Sequence, residues 1–196
     1  MKKLLTGALL TIALSFSIQS ANAAVITFDS PAVEYDRIIQ NGDYGFNWQS
    51  MYILNPDADP YFSGTGYDIG RISEKNVAYS NTNAYMYAIG DSTFTLNNAW
   101  FTSAWQETDT LTVTAYLDGV FRGSKTVGLT NTAPLLVEFN FTNIDEVVFH
   151  ADINQFVMDN LVYNEGMGTP VPEPSSILLG LMGASSLLGL KKKKSA

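Results

Sequence analysis

Residues 111–117 read Leu-Thr-Val-Thr-Ala-Tyr-Leu, with an apolar side chain at every odd position and threonine at two of the three even ones. A period of two sends successive side chains to opposite faces, so the segment predicts a strand with one buried face. Asp118-Gly119 follows, a dipeptide suited to the two positive φ angles of a type I′ turn, and residues 120–127 supply the return strand of a hairpin. Leu135, Val137, Phe139 and Phe141 then alternate with Leu136, Glu138, Asn140 and Thr142, and residues 146–150 and 156–163 close the series. Shorter strands are predicted at 25–28, 45–48, 51–54, 77–79, 85–89 and 93–102. No long segment carries a helical period. Many short strands separated by turn residues predict an all-β fold, an antiparallel β-sandwich with a jelly roll as the preferred topology. Residues 55–71 interrupt the pattern with Asp, Gly, Pro and Tyr, and a loop that long inside a compact domain commonly carries function.

Both ends depart from the alternation. Met1-Lys2-Lys3, an apolar run over 4–18 and Ala21-Asn22-Ala23 form a basic start, an apolar middle and a small-x-small site. That is a signal-peptide pattern over 1–23, with cleavage expected after Ala23 and export as its consequence. At the other end the chain reads VPEPSS, then ILLGLMGASSLLGL, then KKKKSA. The apolar stretch 177–190 would reach about 21 Å as a helix, short of a hydrocarbon core of roughly 30 Å. The four lysines hold their end on the cytoplasmic side, and Pro172 and Pro174 keep the preceding segment extended. An accessible motif, a marginal membrane stop and a charged lock therefore follow in order. This tail, residues 171–196, resembles a PEP-CTERM sorting signal with Pro172, Glu173 and Pro174 as its motif. The resemblance implies recognition by an exosortase, processing near the motif, transient anchoring in the inner membrane, and delivery to the cell surface or extracellular matrix of a Gram-negative, exopolysaccharide-producing biofilm host.

Between the ends lies one domain, 24–170, long enough for a single core. It has no cysteine, so disulfides, catalytic thiols and thiolate metal sites are excluded. Its only basic residues are Arg37, Arg71, Lys75, Arg122 and Lys125, against 18 acidic ones, a net charge of −13. Such a surface repels nucleic acid and anionic lipid, and accepts divalent cations and neutral sugars.

The segments ITFDSP, GFNW, STFTLNNAWFTSAW, LTVTAYLDG and FVMDNLVY are loosely similar to jelly-roll domains of the galactose-binding-like and carbohydrate-binding-module type. In such jelly rolls an acid on the first strand and one on the last help to bind a structural calcium, and Asp29 and Asp159 stand at those positions. Period-two counting puts Asp159 on one face with Val157, Leu161 and Tyr163. A carboxylate pointing into a sandwich costs several kcal/mol unless it is paired or ligated. Backbone carbonyls with Glu34 or Asp36 could complete the roughly 6–8 oxygens that calcium takes. The alternative is that Asp29 and Asp159 cap turns or accept backbone N–H groups.

Aromatic residues are the second candidate. Flat rings suit the apolar faces of sugars, with nearby polar groups for the hydroxyls. Trp48 and Trp100 lie in alternating strands and read as packing residues, whereas Tyr61 and Tyr67 lie in the long loop and are the candidate ligand contacts. Nothing singles out a catalytic residue: His150 stands alone at a strand end, and there is no G-x-S-x-G elbow, His cluster or phosphate loop. The expected function is a non-catalytic surface or matrix protein that binds exopolysaccharide on a calcium-braced scaffold. A self-assembling structural surface protein and a polysaccharide-active enzyme are the alternatives.

Overall fold

The computed structural model describes residues 23–153 and 155–164. Twelve strands form two antiparallel sheets: β1 Ala24–Ile26, β2 Asp36–Ile38, β3 Asn47–Gln49, β4 Tyr52–Leu54, β5 Val77–Ser80, β6 Ala84–Tyr87, β7 Phe94–Ser103, β8 Asp109–Leu117, β9 Val120–Leu129, β10 Leu135–Ile144, β11 Glu146–Ala151 and β12 Phe156–Tyr163. The seven-stranded sheet runs β10-β7-β12-β5-β4-β2, with β1 also paired to β12, and the five-stranded sheet runs β3-β6-β11-β8-β9. From β9 onward consecutive strands alternate between the sheets, as a jelly roll requires. The β-sandwich expected from alternation is therefore present. The Asp118-Gly119 turn has both residues at positive φ, 51° and 71°. The strand that alternation missed is β2, whose Asp36-Arg37-Ile38 has no apolar period.

The inward faces meet in one core that includes Ile53, Phe101, Val113, Phe149, Phe156 and Met158. Trp48 belongs to it, with its indole Nε1–H donated to Asp43 O at 2.9 Å. Trp100 does not. It sits between the inward-facing Ala99 and Phe101, opposite Leu136 and Asp159, so it lies on the outer face of the seven-stranded sheet. Burying a medium or large apolar side chain contributes roughly 1.5–3 kcal/mol, so this core is the main source of stability.

Asparagines set the registers. Asn140 and Asn143 in β10 and Asn160 in β12 have φ of 52°, 53° and 47°. Each falls where its strand has one more residue than β7 opposite: Glu138/Phe141, Phe141/Ile144 and Asp159/Val162. Asparagine tolerates the left-handed region that such a bulge demands. The bulge at Asn160 also corrects the period-two count. Val157 and Asp159 share the outer face, while Leu161, past the bulge, points into the core. Asp159 is fully buried, but beneath the segment that covers the outer face rather than between the sheets.

That covering segment is the long loop. Pro56–Ala58 and Pro60–Phe62 form 3-10 turns, each capped by the residue before its proline: Asn55 Oδ1 accepts the Asp57 N–H, and Asp59 Oδ1 the Tyr61 N–H. One helical turn, α1, follows at Gly66–Ile69. Arg71 ties the loop together through Asp57 at 2.6 Å and Asp68 at 2.9 Å. Gly66 lies so close to the end of β7 that a Cβ would stand 1.7 Å from Ser103 O. Its N–H donates to Ala104 O, and its carbonyl accepts from Thr102 Oγ1 at 2.7 Å. The result is a second, smaller core of Leu54, Phe62, Tyr67, Val77, Ala104 and Val157 on the outside of the sheet.

Candidate functional site

Where the loop meets the sheet a cleft of about 300 Å³ opens, lined by Tyr35, Asp36, Leu54, Tyr61, Phe62, Tyr67, Tyr79, Asn81, Trp105 and Gln155. β2, β4 and β5 supply one wall, the loop a second, and the turn after β7 the third. Both candidate ligand contacts are here, in unequal roles. Tyr61 is 70% exposed and stands 5.2 Å, ring to ring, from Trp105. Tyr67 is 2% exposed and forms the back of the cleft, packed edge-on against Phe62, Tyr79 and Trp105.

The polar groups are ordered by these rings. The Tyr67 hydroxyl and the Trp105 Nε1–H both donate to Gln155 Oε1. With its oxygen engaged twice, the amide is fixed, and among the described residues nothing accepts from its NH₂. Tyr79 donates its hydroxyl to Asp36 Oδ2 at 3.1 Å. Burial holds the hydroxyls of Tyr67 and Tyr79 well above the ordinary tyrosine range, with each other's proximity adding at Tyr67 and Asp36 adding at Tyr79. Both therefore act as neutral donors at physiological pH. The cleft thus combines an exposed aromatic edge, an amide and a carboxylate, with no cationic side chain in its lining. The sequence alone puts Tyr79 and Trp105 among its many aromatic candidates without singling them out, offers Asp36 only to calcium, and gives no sign of Tyr35, Asn81 or Gln155 as ligand contacts. A lone tryptophan in the polar turn after a strand was the one local signal.

The two aspartates proposed for calcium grip one segment. Asp159 Oδ2 accepts the N–H groups of Ile72 and Ser73, both at 2.7 Å, and the Ser73 hydroxyl adds a further bond. Asp29 Oδ1 accepts those of Lys75 and Asn76 at 2.9 and 2.8 Å. Burial pushes the Asp159 carboxyl up to about 6 against these hydrogen bonds. At Asp29 burial also acts upward, but the donors from Asn76, Ser73 and Lys75 outweigh it and the carboxyl lies below its ordinary value. Two buried amide oxygens beside these aspartates, Asn76 Oδ1 and Asn160 Oδ1, have no hydrogen-bond partner among the described residues. Hard, neutral oxygens of that kind suit calcium. Asp36 lies on β2, separated from β12 by β4 and β5, and serves the cleft instead. Among the described residues no group of three or more His, Cys, Asp or Glu converges, so a cation here would depend on amide and backbone oxygens. His150 is exposed, with Nδ1 2.6 Å from Asn83 Oδ1 and Nε2 3.3 Å from Asp152. Pro172, Glu173 and Pro174, with the signal peptide, lie outside the described residues.

No protein-family model and no curated relative matches the sequence. Among solved structures the chain is similar to a DUF4465 family protein from Bacteroides caccae, with a TM-score of 0.55 and 12% identity, covering 72% of this chain and 98% of that one. A CBM51 module from Clostridium perfringens GH95, in complex with methyl-galactose, aligns at 0.36 with 9% identity over 71% of this chain and 99% of that one. A CBM61 module in complex with β-1,4-galactotriose aligns at 0.36 with 5% identity, over 63% and 92%. The first likeness shows a common fold, an antiparallel β-sandwich; the other two carry no argument.

Proposed function

We propose that this is an exported, non-catalytic glycan-binding protein, sorted to the cell surface or matrix by an exosortase acting at Pro172-Glu173-Pro174, and that its ligand is exopolysaccharide. The observation that carries the reading is the cleft, in which the exposed Tyr61 ring stands beside Trp105 and the orienting groups of Gln155, Asp36 and Asn81. Rings take the C–H face of a sugar, while the amide donates to, and the carboxylate accepts from, its hydroxyls. The absence of a cation in the lining and the acidic domain favour a neutral glycan over an anionic one. Calcium is the proposed brace, held by Asp29, Asp159 and the amide oxygens of Asn76 and Asn160. Bound there, it would neutralise a buried carboxylate and fasten residues 72–76, the anchor of the loop that walls the cleft.

The test is co-sedimentation of the full chain with the producing strain's exopolysaccharide, in calcium and then in chelator, with the glycan's size checked afterwards. Binding without shortening of the glycan, lost in Trp105→Ala, is expected. Calcium-dependent oligomers with no glycan bound would replace the reading with a self-assembling structural protein, and a shortened glycan with an enzyme. A melting temperature unmoved by chelator would remove the calcium brace alone.

A further inference from the structure

Among the described residues nothing covers the other face of the five-stranded sheet. Directly opposed residues of antiparallel strands share a face, so the registers define rows that run across the strands. One row is Asn47, Tyr87, Glu146, Tyr116 and Phe121, one residue from each of β3, β6, β11, β8 and β9. The next is Gln49, Tyr85, Val148, Thr114 and Ser124, and a third runs from His150 through Thr112 to Thr126. The intervening residues Trp48, Met86, Val147, Phe149, Val113 and Ala115 are core, which fixes these rows on the outside.

Two aromatic stations stand on this face. The Tyr85 and Tyr87 rings are parallel within 1°, with centroids 6.0 Å apart. Tyr116 meets Phe121 edge-on at 6.3 Å, and Phe121 is 60% exposed. Between and beside them are hydroxyls in pairs, Thr112 with Thr126 at 3.0 Å and Thr114 with Ser124 at 3.3 Å, and one carboxylate, Glu146. The rows contain no lysine or arginine. The stations stand on β6 and on β8 and β9, two to three neighbour spacings or about 10–14 Å apart, so a ligand touching both must lie across the strands.

We infer that this face is a second carbohydrate-binding surface, taking an extended neutral polysaccharide laid across the five strands. The chemistry selects the occupant. A polyanion or an anionic lipid surface would meet Glu146 and a domain of charge −13. A protein partner would need an apolar centre, whereas the middle of this face is Glu146, Val148 and Thr114, a mixture of acceptor, methyl and hydroxyl. A neutral polyhydroxyl chain offers C–H faces to the rings and hydroxyls to the carboxylate, amides and threonines. The site is separate from the cleft, and neither requires the other. A polymer long enough to reach both gains from their linkage, and an oligosaccharide does not.

Affinity electrophoresis of the full chain tests this, in native gels containing the producer's exopolysaccharide, β-1,4-galactan or xylan, beside titration with the corresponding trisaccharides. The double variant Tyr87→Ala/Tyr116→Ala is expected to lose about tenfold in affinity for the retarding polymer through two lost ring contacts, and to keep the trisaccharide affinity of the parent. Trp105→Ala is expected to do the reverse at the trisaccharide. Ser124→Arg, at an exposed position on the same face, removes no packing and must also weaken retention, which separates ligand loss from misfolding. The inference is overturned if the double variant and Ser124→Arg run as the parent does, if no polymer retards the parent, or if these substitutions abolish a dimer seen by sedimentation while leaving polymer binding intact. Failure of the cleft alone would appear as trisaccharide binding that Trp105→Ala leaves unchanged.

Discussion

The outer faces of the two sheets solve the same problem in opposite ways. The seven-stranded sheet carries Leu54, Val77, Tyr79 and Val157 outward and buries them under the long loop, which makes a second core and, at its margin, a cleft. The five-stranded sheet carries Tyr85, Tyr87, Tyr116 and Val148 outward among hydroxyls and leaves them half-exposed, with no segment folded over them among the described residues. A strand face rich in aliphatic side chains requires a cover. One that interleaves rings with threonines can stay in water, and it offers a broad, flat surface where the covered sheet offers a small, shaped one.

The sharpest way to break the contrast is to lift the cover. Gly66→Ala forces a Cβ against the Ser103 carbonyl, and we expect a loss of about 3 kcal/mol, with cleft binding abolished and the five-stranded face intact. Urea denaturation and trisaccharide titration read the two effects.

The anchor beneath the cover gives the next largest effect. Asp159 has a folded value of about 6 against an ordinary 3.8, so the folded chain binds this proton more tightly than the unfolded chain does. Its contribution to stability is complete below about pH 4 and is lost as pH rises through 6. That difference corresponds to roughly 3 kcal/mol, or on the order of 10 °C for a domain this size. In chelator, the melting temperature of the parent minus that of Asp159→Asn should therefore fall between pH 4 and pH 7, and calcium should restore it. A flat difference would show that the N–H donors of Ile72 and Ser73 already neutralise the burial cost.

Two smaller substitutions sharpen the contrast within the cleft. Trp105→Ala removes a half-buried ring from the second core and should cost about 2 kcal/mol as well as binding. Tyr61→Ala, at an exposed position, should change stability by less than about 0.5 kcal/mol yet weaken trisaccharide binding several-fold. Loss of stability without loss of affinity at Tyr61 would make it a packing residue.

The difference between the faces also marks what the sequence made legible. Period-two alternation exposes β8 and β10 because one of their faces is apolar over many residues, β12 shows as an apolar run bounded by polar residues, and Asp118-Gly119 announces its hairpin by turn chemistry. Tyr61 and Tyr67 were found because the loop between strands is long and aromatic. Their partners were not, since Tyr35, Trp105 and Gln155 meet only once the loop has closed over the sheet, and no local pattern links positions so far apart. The facing of Asp159 was misjudged for a different reason: one extra residue at Asn160 inverts every later position, and a bulge leaves only an asparagine as its trace. The rows on the five-stranded sheet depend on cross-strand register, which alternation along single strands does not specify.

Strand β12 sits in the middle of the larger sheet, bonded along one side to β7 and along the other first to β5 and then to β1. It is also the last strand among the described residues. A polypeptide emerging from its N-terminus therefore has β1, β5 and β7 in hand with no strand to join them. The sheet can close only when residues 156–163 arrive, and its longest-range pairing, Ala24 with Tyr163, forms with them. Such non-local closure is slow. The larger sheet therefore stays open during synthesis and closes from its last described strand.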